Sequence, residues 1–146
     1  MSWVAVAAAG SAITCLLYAS LSGEKAYSEI ARRQRDFILG CNPFGESCVI
    51  GAGTRFPRFP HHQIANINKM ELTGALVGGP TSASIFKDEA IDLDKPGFTT
   101  MNVGPAMPED LEDEVCVYHD SVQDYITNEP ANDYTAKFLV LNGFYS

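Results

Sequence analysis

Hydrophobic and polar positions divide this chain into two helical stretches, a long punctuated middle and a helical end. Residues 1–20 are apolar and rich in alanine, with Ser11 and Thr14 interrupting the run. They read as a buried helix, because no Lys or Arg precedes the apolar run as in a secretory leader, and a membrane span needs roughly 20 near-continuous apolar residues. A second helix follows, with Ser22 as its cap, Glu24 and Glu29 toward its start, Arg32, Arg33 and Arg35 toward its end and Gly40 just beyond. That charge order suits the helix dipole. Tyr27, Ile30, Ala31, Gln34, Phe37 and Ile38 recur at helical spacing and predict one core-facing stripe.

From Gly40 to Pro80 the periodicity gives way to punctuation: Gly51, Gly53, Pro57, Pro60 and the Gly78-Gly79-Pro80 run break any helix longer than a turn or two. A stretch of this length without its own periodicity marks functional or disordered chain, and its histidines, its aromatic residues and the apolar Leu72–Val77 favour function. Residues 81–118, with Pro96-Gly97, Gly104-Pro105 and Pro108, read as an expanded surface loop near a cleft. Helical spacing returns at the end. Pro130 lacks an N–H and has a preset φ, which predicts Asn128 or Glu129 as cap of a helix through Tyr134, Phe138 and Leu141, with Glu129 at its mouth.

Charge narrows the partners. Through Pro80 there are 7 Lys and Arg against 5 Asp and Glu; from Thr81 onward there are 3 against 13. So acidic a second half disfavours a nucleic acid, whose binding rests on neutralising phosphates with Lys and Arg, and leaves a neutral polymer acceptable. The acidic run from Glu109 to Glu114 reads as solvated surface, as do Asp88, Glu89, Asp92 and Asp94, which lack the glycine and terminal glutamate of an EF-hand calcium loop. The four cysteines, Cys15, Cys41, Cys48 and Cys116, have neither the density of a disulfide scaffold nor Cys-x-x-Cys spacing. Cys15 reads as a small buried hydrophobe, a Cys41–Cys48 bridge is open to a secreted protein, and a zinc site drawing on Cys41, Cys48, Cys116 or His119 lacks the usual close ligand spacing.

Four blocks in series carry a family resemblance. They are Leu39-Gly40-Cys41-Asn42-Pro43-Phe44-Gly45, Arg55-Phe56-Pro57-Arg58-Phe59-Pro60-His61-His62-Gln63, Leu72 through Pro80, and Asp124 through Tyr134. In this order they resemble the C-terminal end of a glycoside hydrolase family 9 catalytic domain, the inverting cellulase family. The resemblance implies an all-α fold: a C-terminal fragment of an (α/α)6 barrel with long active-site loops, spanning residues 1–146. The catalytic aspartates, one of which supplies the base, then belong to an N-terminal portion outside this chain.

The resemblance also assigns roles. Glu129 matches the general acid that protonates the leaving oxygen of a β-1,4-glucosidic bond, His61 the histidine that hydrogen-bonds the neighbouring sugar, and Tyr134 an aromatic lining the sugar site. His62, Asp124 and Asn128 match supports of these loops. Gln63 stands where the family usually has Arg, a departure that removes a charged five-donor fork from the substrate site. Inverting enzymes hold their two carboxyls about 6.5–9.5 Å apart to leave room for a water. A helix start favours an ionised carboxylate, so a general acid there must be held protonated by desolvation or by a nearby negative charge. The implied partner is a β-glucan polysaccharide or oligosaccharide, with no cofactor, no nucleic acid and no membrane, and the implied location is extracellular. The alternative is a non-catalytic fragment: a carbohydrate binder using Phe56, Phe59 and Tyr134, or a protein-interaction module presenting Pro57-Arg58-Phe59-Pro60 as a polyproline II ligand.

Overall fold

The computed structural model describes residues 3–89, 98–102 and 115–146. In chain order the elements are α1 (Val4–Ser22), α2 (Ser28–Ile38), α3 (Gln63–Asn68), β1 (Thr81–Ser82), α4 (Ala83–Asp88), β2 (Phe98–Asn102), β3 (Val115–His119) and α5 (Asn132–Gly143). The three long helices are those expected from the apolar spacing.

Helix α1 packs through a stripe of small side chains: Ala5, Ala8, Ala9 and Ala12 are buried, while Leu17, Tyr18 and Leu21 on the rest of its length are exposed. It is therefore one-sided, where the sequence predicted a buried helix. Its length and apolarity would also suffice to cross a membrane; here it lies along α2 and α5. The alanines let the loop after Val77 approach closely. Ala5 N–H donates to the Gly78 carbonyl at 3.0 Å, satisfying one open donor of the first turn. Gly79 has φ 83°, and a Cβ there would stand 2.8 Å from the Cβ of Ala5, so only glycine fits.

Helix α2 starts later than the sequence reading placed it. Ser22 closes α1, its hydroxyl donating to the Tyr18 carbonyl at 2.7 Å and accepting from Glu24 N–H at 3.1 Å, and the chain turns once more before Ser28. Tyr27 holds the cap position of α2, five residues beyond Ser22 and out of reach of its hydroxyl. On α2 the stripe is partly realised: Ala31 and Ile38 are fully buried, whereas Tyr27 and Ile30 remain about half exposed.

The main core joins α1, α2 and α5 to the loop residues Phe44, Cys48, Val49, Ile50, Leu76 and Val77. Leu76, Val77 and Leu141 are fully buried, each such side chain contributing about 1.5–3 kcal/mol. A smaller core of Ala83, Phe86, Val117 and Ile126 lies under the sheet. That sheet corrects the reading of residues 81–118 as loop alone. Its order is β1-β3-β2, all antiparallel, with Thr81 opposite Val117 and Phe98 opposite His119. Phe98-Thr-Thr-Met-Asn102 and Val115-Cys-Val-Tyr-His119 are rich in β-branched and aromatic residues, a strand signal that the surrounding glycines and prolines obscured. The acidic run 109–114, and most of the stretch weighed for calcium, lie outside the described residues.

All four cysteines are free, so Cys41 and Cys48 form no bridge. Cys48 is buried, which together with the nearby Glu46 charge pushes its thiol up to about 12; Cys41 is exposed.

Candidate active site

Strand β3 feeds directly into the segment that carries the predicted acid, and Asp120 is the first residue beyond it. Its two carboxylate oxygens accept the backbone N–H groups of Arg58 and Phe59, each at 2.8 Å. Asn128 completes the clamp. Fully buried, it donates from Nδ2 to the Phe59 carbonyl at 2.7 Å, to Asp120 Oδ1 at 3.1 Å and to the Ser121 carbonyl at 3.3 Å, and its Oδ1 accepts the Tyr118 hydroxyl at 2.6 Å. Burial first, and the Asp120 charge second, push the Tyr118 hydroxyl well above the ordinary tyrosine value, so it remains a donor. The loop of Arg55–Pro60 is thereby tied to the segment 118–130.

Asp124 shapes the turn beneath. Its Oδ1 accepts the N–H groups of Ile126 at 2.7 Å and Thr127 at 2.9 Å, and its Oδ2 accepts the Thr127 hydroxyl at 2.6 Å. These bonds fold residues 124–127 so that Thr127 and Asn128 are fully buried, while Glu129 projects an exposed side chain between Asn128 and the buried Pro130. The backbone on either side is pinned to the Gly78 loop: Gly79 N–H donates to the Thr127 carbonyl at 2.9 Å and Gly78 N–H to the Glu129 carbonyl at 3.2 Å.

The cap reading needs correction here. Helix α5 begins at Asn132 with Ala131 in the cap position, and Pro130 pairs with Val77 in an isolated bridge. Neither Asn128 nor Glu129 caps the helix, since Asn128 is consumed by the clamp and Pro130 is held extended against the loop. Asp133 takes the first-turn position that complements the dipole.

His61 and His62 diverge. His61 N–H donates to the Asn128 carbonyl at 2.9 Å, and its Nδ1 lies 2.7 Å from the Val122 carbonyl. A carbonyl only accepts, so Nδ1 carries the hydrogen and Nε2 of the neutral ring is left as an acceptor. His62 instead caps α3, its Nδ1 accepting Ala65 N–H at 3.2 Å. Among the described residues no three His, Cys, Asp or Glu side chains gather as a metal site. Gln63 is exposed as the first residue of α3. Tyr134, half-buried on α5, has its ring 6.4 Å from that of Trp3; burial, then the charges of Asp133 and Glu129, raise its hydroxyl above the usual range. Glu129 and Tyr134 therefore share one electrostatic neighbourhood.

His61, Asp124, Asn128 and the backbone of Glu129 thus form one hydrogen-bonded unit, with Tyr134 near the carboxylate and Gln63 at the next helix start. Sequence reasoning missed Tyr118, and also Asp120 and Tyr125, whose partners Arg58, Phe59 and Glu89 lie far off along the chain. The polyproline reading fails on the same geometry: Pro57 and Pro60 are buried, and the N–H groups between them are engaged by Asp120. A polyproline II ligand must present those rings to its partner.

Glu129 thus stands exposed on a turn whose neighbours are buried, with the His61 N–H bound to the carbonyl of the residue before it. The model of glycosyl hydrolase family 9 matches residues 2–142, and the chain belongs to that family. An endoglucanase of Dictyostelium discoideum is 31% identical over 139 residues, covering 88% of this chain and 15% of its own length. Endoglucanase A of Bacillus pumilus is 29% identical over 146 residues, covering 90% of this chain and 17% of its own. Among solved structures, the catalytic domain of Clostridium thermocellum CelT superposes with a TM-score of 0.68 at 27% identity over 99% of this chain and 25% of its own. The cellulase Cel9M, solved in complex with cellobiose, gives 0.66 at 26% identity over 99% and 29%. The chain spans under a third of the length of each of these four proteins, and its helices are part of an (α/α)6 barrel.

Proposed function

We propose that residues 1–146 are the C-terminal portion of a family 9 catalytic domain, and that in the complete domain Glu129 is the general acid of inverting hydrolysis of β-1,4-glucosidic bonds in cellulose or a related β-glucan. The observation that carries this reading is the exposed Glu129 carboxylate on a turn whose neighbours are fully buried, one residue from the carbonyl that binds His61 N–H. The held backbone of this turn sets where the carboxylate is presented, in keeping with general acid catalysis, which is worth roughly 10²–10⁴-fold in rate. His61 offers Nε2 to a sugar hydroxyl, Tyr134 lines the site, and Gln63 supplies an amide where an arginine would supply charge. Asp124 and Asn128 hold the acid's turn, and His62 holds α3.

The base that activates water is an aspartate on the N-terminal portion, and that portion covers the faces of α1 and α5 on which Leu17, Leu21, Leu139 and Val140 are exposed. Exposed apolar faces of this kind are those a neighbouring helix buries. The substrate is a glucan chain or oligosaccharide, in keeping with the relatives named endoglucanase and the Cel9M complex with cellobiose. A location outside the cell accords with the family likeness. The isolated 146 residues, without the base, are inactive.

The stereochemistry of the first product tests the mechanism. Proton NMR of fresh hydrolysate from the complete domain acting on cellotetraose should show the α-anomer appearing first, because water attacks the face opposite the leaving group. An initial β-anomer would mean a covalent, retaining route and would remove the acid–base pairing assigned to Glu129.

A further inference from the structure

Beside His61 stands an aromatic ring with no part in either core. Tyr125 is 47% exposed, although Asp124 and Ile126 on either side are buried. Its orientation is nonetheless fixed at two points: its hydroxyl lies 3.3 Å from Glu89 Oε2, and its ring meets His61 edge to face, with centroids 6.3 Å apart and planes at 63°. The same turn holds His61 from the other side, through the Val122 carbonyl on Nδ1 at 2.7 Å. Residues 122 and 125 therefore set the imidazole, and Glu89 sets Tyr125.

We infer that Tyr125 is a substrate-contact residue, an aromatic wall against which one pyranose ring of the glucan lies while His61 Nε2 accepts a hydrogen bond from its hydroxyl rim. The inference rests on the reading of His61 as a sugar-binding residue and extends it to a side chain that the family blocks did not single out. The chemistry of the ligand supports the pairing. A β-1,4-linked glucosyl unit carries its hydroxyls equatorially, so it presents a polar rim and two apolar C–H faces. A flat ring beside a single acceptor matches that division. A tyrosine whose rotamer is already held also loses little side-chain entropy on binding. The Glu89 charge, foremost, raises the Tyr125 hydroxyl above its ordinary range and keeps it in the donor form that holds this orientation.

The test is titration of the 146-residue chain with millimolar cellotetraose, followed by the ring carbon–proton signals of His61 and Tyr125. Both rings should shift along one binding curve. Tyr125→Leu, which keeps apolar bulk but removes the flat face, should weaken binding roughly three- to tenfold, while Tyr125→Phe stays within about twofold. The methyl signals of Leu76 and Val77 report whether each variant is folded, and an unfolded Tyr125→Leu leaves the decision to the Tyr125 ring shift in the unaltered chain. Shifts at His61 without shifts at Tyr125, or equal affinity in folded Tyr125→Leu, overturn the inference and leave the His61 reading standing. Shifts at neither ring overturn both.

Discussion

The Asp120 carboxylate accepts the Asn128 side-chain amide at 3.1 Å while its two oxygens hold the N–H groups of Arg58 and Phe59. One acidic residue thus ties the histidine loop to the turn of Glu129. Asp120→Ala removes charge-assisted bonds to two exposed N–H groups and one part-buried amide, so we expect about 1–2 kcal/mol of lost stability in urea unfolding. The control is Asp133→Ala, which removes an exposed carboxylate 3.7 Å from Lys137 and should change stability by less than about 0.5 kcal/mol. Equal small losses in both would show that the clamp is not holding the loop.

Glu46 predicts a pH dependence. Partial burial raises its carboxyl, with the Arg55 guanidinium at 3.5 Å opposing the shift. Its folded value lies above its unfolded one, so between the two the native state binds more protons and stability falls as pH rises through that window. Glu46→Gln should flatten this part of a stability–pH curve. A slope unchanged by the substitution would assign it to another group.

The cysteines differ in reactivity. At mildly alkaline pH the exposed Cys41 should react with a thiol reagent in the folded chain, whereas Cys48, buried and pushed up to about 12, should react only on unfolding. Mass mapping of labelled peptides gives the order, and early labelling of Cys48 would contradict its placement in the core.

Gln63 tests the departure from the family. In the complete domain Gln63→Arg places a charged fork at the start of α3, and a charge-assisted hydrogen bond to substrate or carboxylate should raise kcat/KM on cellotetraose by about tenfold. Unchanged or lower kcat/KM would mean that the loop is tuned to another substrate.

The helices were legible because their signals are local. Phe138 and Leu141 fell at helical spacing and are buried, and four short blocks sufficed to mark the family; Leu76 and Val77, in a stretch read as functional, proved to be core. Boundaries were less legible: Ser22 and Pro130 carry residue types that cap and open helices, but one is bonded back into α1 and the other is held against Val77. Long-range partners left no local trace at all. Asp120 binds residues 61 and 62 positions earlier, and Tyr125 meets Glu89 36 positions away. Nothing in the spacing of either residue distinguishes it from surface. The strands β2 and β3 were readable from composition, yet glycine and proline around them outweighed that signal.

Glu129→Gln in the complete domain bears most directly on the central claim. The amide keeps the side chain's shape and cannot give a proton to the leaving oxygen. Hydrolysis of a cellulosic substrate should therefore fall roughly 10²–10⁴-fold, with folding and substrate binding nearly intact. His61→Ala should differ, with partial losses in both binding and rate. The deciding measurement compares Glu129→Gln on that substrate and on an aryl glycoside whose acidic leaving group needs little protonation. The account predicts that the activated substrate is spared far more than the natural one; an equal loss on both, or no loss on either, would contradict it.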